Sequence, residues 1–292
     1  MNKILPILIL AGLAVFPATA QVSIQVVTEQ DQFLPSESVP VAVKITNRSG
    51  QPLHLGAYPN WLTFDVEADD GFIVVKNADV PVVGEFDLGS SQVATKRVDL
   101  KPYFDLTRPG RYRIIATLRI KDWGLEMASK PKPIDVINGA RVWSQSFGLP
   151  VPPGQTNSVP EVRKYTLEKA NYLRSQLRLY VQVSDDSESH IYNVVNLGKM
   201  VAFGETEAQL DNTSNLHVLW QSGSSFFTYA VVNPDGSLLK HEIFDYVTAR
   251  PRLTMNNDGS VAVVGGVRRL TPVELPMVKT PDELPPTAPV VK

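Results

Sequence analysis

The 292-residue chain contains no cysteine, only four histidines and no strong excess of either charge: 28 Lys+Arg stand against 30 Asp+Glu, a net charge of -2. The missing thiols exclude disulfide bracing, thiolate nucleophiles and cysteine-ligated zinc or iron–sulfur centres together. Charge balance gives no support to a nucleic-acid partner, which calls for a basic patch or domain. Several chemical signatures are also missing: H-E-x-x-H, the G-x-S-x-G elbow, the P-loop and G-x-G-x-x-G. No cofactor is expected on these grounds.

Long apolar runs are scarce as well. The one extended run lies between Ile4 and Phe16; it follows a single charge, Lys3, and precedes Ala18-Thr19-Ala20. A basic start, a short apolar centre and a small-x-small end form the signal-peptide pattern, with cleavage expected after Ala20. Pro17 and Thr19 leave this run short of the roughly 20 residues of a transmembrane helix. The mature chain is therefore expected to be extracytoplasmic, periplasmic or secreted, and not membrane-embedded once the signal is removed.

What the chain does have is short alternating strands. Val39, Val41, Val43 and Ile45 place four β-branched residues on one face before the turn-forming Asn47-Arg48-Ser49-Gly50. Leu62, Phe64 and Val66 repeat the pattern, and Tyr112, Ile114, Ala116, Leu118 and Ile120 give the longest alternation of all. About seven such strands in residues 21–140 predict a two-sheet sandwich. Gly110-Arg111-Tyr112-Arg113-Ile114 resembles the tyrosine corner of immunoglobulin-type domains, with Ile114 standing where a core cysteine would be. Together with residues 41–50, the segment Leu106-x-x-Pro109-Gly110-x-Tyr112 resembles Ig-like modules of bacterial secreted proteins, including intracellular-proteinase-inhibitor-type domains. That resemblance implies a fold and structural roles for Tyr112 and Ile114. It transfers no function.

Residues 141–160 read as a proline-rich linker, although Trp143 and Phe147 fit the following unit equally well. Residues 161–270 are again strand-rich. Setting Leu177, Leu216 and Val261 equivalent gives spacings of 39 and 45 residues, near the period of a four-stranded propeller blade. The turns Asn233-Pro234-Asp235-Gly236-Ser237 and Asn256-Asn257-Asp258-Gly259-Ser260 are close copies. This length makes only two to three blades where closed propellers use 4–8, so the expectation is an all-β chain whose second domain is a hairpin repeat, propeller-like or an open sheet. Residues 162–173 are expected to form a strand. Residues 271–292, with six prolines, are expected to be a disordered tail.

For chemistry, the densest basic group is Arg250, Arg252, Arg268 and Arg269, which could offer bidentate contacts to a carboxylate, sulfate or phosphate if their strands are neighbours. The same residues fit a solvated edge that discourages strand pairing. His190, His217 and His241 could meet in space but form no metal motif. Asp185, Asp186, Glu188, Glu205, Glu207 and Asp211 offer acids for a glycosidase-type pair, yet each sits among turn residues. Ser222-Gly223-Ser224-Ser225 reads as a hairpin turn. The preferred reading is a non-catalytic exported binding or structural protein whose partner is a protein or surface polymer. The alternatives are an extracytoplasmic hydrolase with an acidic site in the repeat domain and a protease-inhibitor module.

Overall fold

The computed structural model describes residues 22–149, 161–173 and 175–270. Residues 1–20, most of the proline-rich linker and the tail after Leu270 lie outside the described residues. Among those described, the chain is all-β, built of several sheets with no closed barrel; a 3-10 turn at Lys121–Trp123 is its one helical element. Among the described residues, no helix is long and apolar enough to cross a membrane. The chain divides into two compact units, Met1–Asn138 and Gly139–Lys292.

The first unit carries β1 (Val22–Thr28), β2 (Gln32–Phe33), β3 (Pro40–Asn47), β4 (Leu53–Leu55), β5 (Leu62–Ala68), β6 (Phe86–Leu88), β7 (Val93–Asp99), β8 (Gly110–Ile120), β9 (Leu125–Ala128) and β10 (Lys132–Val136). One sheet has the order β1-β3-β7; a second has β2-β10-β8-β5, with β9 also on β8, and β4 and β6 make a separate pair. After β1 the chain leaves the first sheet and enters the second at β2, which runs parallel to β10. The inward positions are those set by the period of two. Val41, Val43 and Ile45 of β3 and Tyr112, Ile114, Ala116, Leu118 and Ile120 of β8 all lie in one core shared by the two sheets, a β-sandwich.

Two polar devices hold its ends. The side chain of Asn47, fully buried, donates to the carbonyls of Gln51 and Leu88 and accepts from Ser49, which fixes the turn after β3. The Tyr112 hydroxyl donates to the carbonyl of Arg108 at 2.6 Å while its ring packs inside.

The second unit carries β11 (Ala140–Gly148), β12 (Val162–Tyr172), β13 (Gln176–Asp185), β14 (Ile191–Lys199), β15 (Thr206–Leu210), β16 (Leu216–Gln221), β17 (Phe226–Val232), β18 (Leu238–Asp245), β19 (Arg252–Met255), β20 (Val261–Val264) and β21 (Val267–Arg268). Residues 141–148, expected to open the linker, instead lie in β11, which pairs with β12, so Trp143 and Phe147 belong to this unit. Strands β11-β12-β13-β14 form one antiparallel sheet, β15-β16-β17-β18-β21 a second, and β19-β20 a hairpin.

The three are layered. Tyr165, Leu167, Leu179, Val181 and Val183 of the first sheet share a core with Leu216, Val218, Trp220, Ala230 and Val232 of the second. The opposite face of the second sheet, through Leu219, Phe227, Tyr229 and Val231, packs on Leu253 and Val261 of the hairpin. This middle position explains why β16 and β17 are apolar without alternation: both of their faces are covered. His217 projects with Leu219, away from Leu216 and Val218, as the strand period requires. Leu177, the expected counterpart of Leu216, is only half-buried at the start of β13, and the core positions of that strand begin at Leu179.

Candidate functional site

The four arginines proposed as a ligand site come to one junction, where β19 begins and β20 leads into β21. Gly266 donates its backbone N–H to the carbonyl of Ala249 at 2.9 Å, and with φ +65° and Pro251 where a Cβ would stand, only glycine fits. The guanidinium groups do not pool their charge there. Arg250 lies 3.9 Å from Glu205, Arg268 lies 3.7 Å from Glu242, and Arg269 forks onto Asp245. Arg252 stands exposed on β19 opposite Val264. Three of the four thus face their own acid, an arrangement suited to a solvated strand edge.

The other candidates resolve as local structure. Asp185 collects bonds from the Ser187 and Ser189 hydroxyls and the His190 backbone N–H, which hold its pKa down to about 2 and tie the β13–β14 turn. Glu188 pairs with Arg141 and Lys164, and Glu207 accepts the backbone N–H of Leu253 at 2.7 Å. Both Ser222 and Gly223 bond the carbonyl of Phe226, closing the β16–β17 turn. His190 is exposed beside Tyr192, His241 bonds the carbonyl of Leu197, and His217 is buried between Asp211 and Tyr229. Among the described residues, no three His, Asp or Glu side chains are placed to hold a metal ion. His54 has Asp87 at 2.7 Å and Glu85 at 2.5 Å on opposite ring nitrogens, so the two acids cannot share a metal with it.

A concave site lies elsewhere, in the first unit. It is a groove of about 300 Å³ between residues 58–61, which lead into β5, and residues 119–126, where β8 turns through the 3-10 segment into β9. Arg119 N–H bonds the carbonyl of Trp61, so the two segments share one backbone frame. Ile120 and Trp61 are inward core residues whose edges reach the groove, and the Trp61 Nε1–H is committed to the carbonyl of Val82 at 2.8 Å. What tryptophan offers the groove is therefore carbon surface. Pro59 and Leu125 continue the apolar lining.

Around that lining stand polar groups in two conditions. Arg119 is fully engaged: its Nε and one terminal nitrogen fork onto Glu126 at 3.0 and 3.3 Å, and the other bonds the carbonyl of Asn60 at 3.2 Å. That last bond helps hold Asn60 at φ +61°, a left-handed position asparagine tolerates. By contrast, the Asn60 carboxamide and the Tyr58 hydroxyl make no bond among the described residues, and Lys121 makes no ion pair there. The Lys121 ammonium sits 4.2 Å from the centroid of the Tyr58 ring, which is 45% exposed. A small apolar floor with a few convergent, unspent polar groups is the usual composition of a ligand site.

No protein-family model matches the chain, and no curated protein matches it. Among solved structures it is similar to Spo0M, the sporulation control protein of Bacillus subtilis, with 12% identity and a TM-score of 0.29, over 69% of this chain and 79% of that one. A likeness at that score fixes neither fold nor function.

Sequence reasoning missed the groove because its two walls are some 60 residues apart and each reads as an ordinary turn. The available signal was aromatic density in turns: Tyr58-Pro59-Asn60-Trp61 and Lys121-Asp122-Trp123-Gly124 each put tryptophan beside turn-forming residues.

Proposed function

We propose that the protein is an exported, non-catalytic binding protein built from an Ig-like first unit and a propeller-like, open second unit, and that its ligand docks in the groove between residues 58–61 and 119–126. The observation that carries this reading is the groove itself: an apolar floor of Trp61, Ile120 and Leu125 under Asn60, Tyr58 and Lys121, whose polar groups are not spent on other parts of the chain. The Ig-like assignment is supported by the β1-to-β2 crossing between sheets, the parallel β2–β10 pair and the Tyr112–Arg108 corner. The propeller-like assignment is supported by two successive antiparallel sheets stacked face to face, with a hairpin as a third layer. A binding role rather than hydrolysis is supported by the acids of the second unit, since Asp185, Glu188, Glu207 and Asp211 each serve a turn or a strand junction.

The test is a backbone NMR titration of residues 21–292 with a panel of neutral, acidic and basic mono- and disaccharides and dipeptides. Shifts centred on residues 58–61 and 119–126 with at least one class are the expected result. Shifts that cluster elsewhere, or no shifts with any class, overturn the assignment of the groove.

A further inference from the structure

We infer that the groove takes a carboxylated pyranose, the acidic sugar residue of a polysaccharide, with its ring on the apolar floor and its carboxylate on Lys121. This rests on reading the groove as the ligand site and goes further by naming the ligand chemistry.

Charge comes first. Two cations and one anion line the groove, and the anion, Glu126, is matched by the fork from Arg119. The remaining positive charge is Lys121, which no acid among the described residues answers. Its position over the Tyr58 ring keeps the ammonium at the groove through a cation–π contact while leaving its three donors without a carboxylate. A ligand anion placed there gains a charge-assisted hydrogen bond and displaces no internal partner. The kind of cation matters too. Because the guanidinium of Arg119 is already forked, the groove has no free planar fork to hold a phosphate or sulfate in bidentate fashion, and the single point charge of a lysine ammonium is matched by one singly charged carboxylate.

Shape and the neutral groups narrow the class further. At about 300 Å³ the groove is at the small end of ligand sites, enough for one ring-sized group, and it is open to solvent. Its floor is carbon surface from Trp61, Ile120 and Leu125, while Asn60 and Tyr58 hold uncommitted amide and phenol groups. A pyranose has that same division, with an apolar C–H face and a girdle of hydroxyls that both donate and accept. An acidic peptide side chain satisfies Lys121 but has no apolar ring face for the floor and no hydroxyl girdle for Asn60 and Tyr58.

The test uses residues 21–292, with binding followed by NMR shift mapping and calorimetry against four probes: trigalacturonate, its methyl ester, a neutral trisaccharide and a Glu-Glu dipeptide. Trigalacturonate is expected to shift the groove residues and to bind about tenfold or more tightly than its methyl ester, the worth of one hydrogen bond to a charged group. Lys121→Gln is expected to remove that preference, so that the acid and its methyl ester bind alike. Tyr58→Ala is expected to weaken both. Equal binding of the acid and its ester, or no effect of Lys121→Gln, overturns the carboxylate assignment while leaving the groove a binding site. Groove shifts with the dipeptide and none with the sugars overturn the sugar class and likewise spare the groove. If none of the four shifts residues 58–61 or 119–126, the inference falls, and the wider panel decides whether the groove reading falls with it.

Discussion

The side-chain amide of Asn193 donates to the carbonyl of Gly236 at 2.9 Å, reaching from the first sheet of the second unit to the turn between β17 and β18 in the next layer. One layer on, a similar contact recurs one position earlier in the turn: Asn212, in the β15–β16 turn, donates at 2.9 Å to the carbonyl of Asp258 in the turn of the β19–β20 hairpin. In both turns the glycine has φ +79°, and a Cβ there would stand 2.5 Å from the Cβ of Asn193 or 2.9 Å from that of Asn212. The two Asn-x-Asp-Gly-Ser turns are thus equivalent parts of a stack, each clamped by an asparagine from the preceding layer. Arg163 reinforces the first clamp by bonding Asp235 and the carbonyl of Pro234.

The clamp predicts the cost of losing each half. Asn193→Ala removes the bond to the Gly236 carbonyl and the one its Oδ1 accepts from the Val194 N–H, and should cost about 1–3 kcal/mol. Gly236→Ala has to meet both the left-handed backbone and the Asn193 side chain, and should cost about 1–3 kcal/mol. Because the residues touch, the double substitution should cost less than the sum. Urea denaturation of the three variants measures this, and a neutral Gly236→Ala would show that the turn is free to move away.

How much of this was legible depends on what each element faces. Strands such as β3 and β8 have one covered face, so alternation named their inward residues correctly. No alternation exists in Phe226–Val232, because that strand lies between two cores, and the layer order could not be read from it. The copied Asp-Gly turns were visible, but not the asparagines that clamp them, which are 43 and 46 residues away in sequence. The arginine group was legible only in part, for a similar reason. Its density was visible, whereas the acids that answer three of its members come from elsewhere in the chain, Glu242 and Asp245 on β18, which pairs with β21, and Glu205 just before β15.

At the sandwich corner, Tyr112→Phe should cost about 1–2 kcal/mol, since the Arg108 carbonyl loses its donor. Ile114→Ala empties a fully buried position and should cost more, about 2–5 kcal/mol. Denaturation of the full mature chain, with the transition of the first unit followed separately, orders the two. The reverse order would contradict the packing described for β8.

His54 should titrate above the ordinary histidine range. Its hydrogen bonds to Asp87 and then Glu85 both favour the protonated ring, which raises its pKa. A raised folded value means that the stabilisation is fully present below the unfolded pKa of about 6.5 and is lost as pH rises through the folded value. An NMR titration of the ring should give a midpoint above 6.5, lowered by Asp87→Asn and by Glu85→Gln, with Asp87→Asn the larger. A wild-type midpoint at or below 6.5 contradicts the geometry.

Export is the next expectation. Protein recovered from the extracytoplasmic fraction of its native host should begin at Gln21, one residue after Ala18-Thr19-Ala20. N-terminal sequencing decides it, and soluble mature protein that retains Met1 removes the basis for placing the ligand outside the cytoplasm.

The last prediction concerns Asp211, His217 and Tyr229, a buried chain in which the imidazole Nε2 lies 3.0 Å from the carboxylate and Nδ1 lies 2.7 Å from the phenol oxygen. Burial works to raise the pKa of Asp211, but bonds from His217, Asn215 and Thr213 outweigh it and hold the carboxyl well below the usual range. Burial pushes the Tyr229 hydroxyl up to about 12, so it is a neutral phenol at neutral pH and no nucleophile. The chain therefore acts as a brace between the β15–β16 turn and the middle of β17. His217→Phe leaves both neighbours short of a partner inside the unit and should cost about 1–3 kcal/mol, more than Tyr229→Phe, which leaves the Asp211 bond intact. A depressed carboxyl contributes stability above its unfolded pKa of about 3.9 and loses it as pH falls through the folded value. The stability gap between wild type and Asp211→Asn should accordingly begin to narrow as pH falls below about 4 and go on narrowing towards the depressed folded value. Urea denaturation across that range measures the gap, and one that does not narrow would mean that asparagine fails there for steric reasons rather than for want of charge.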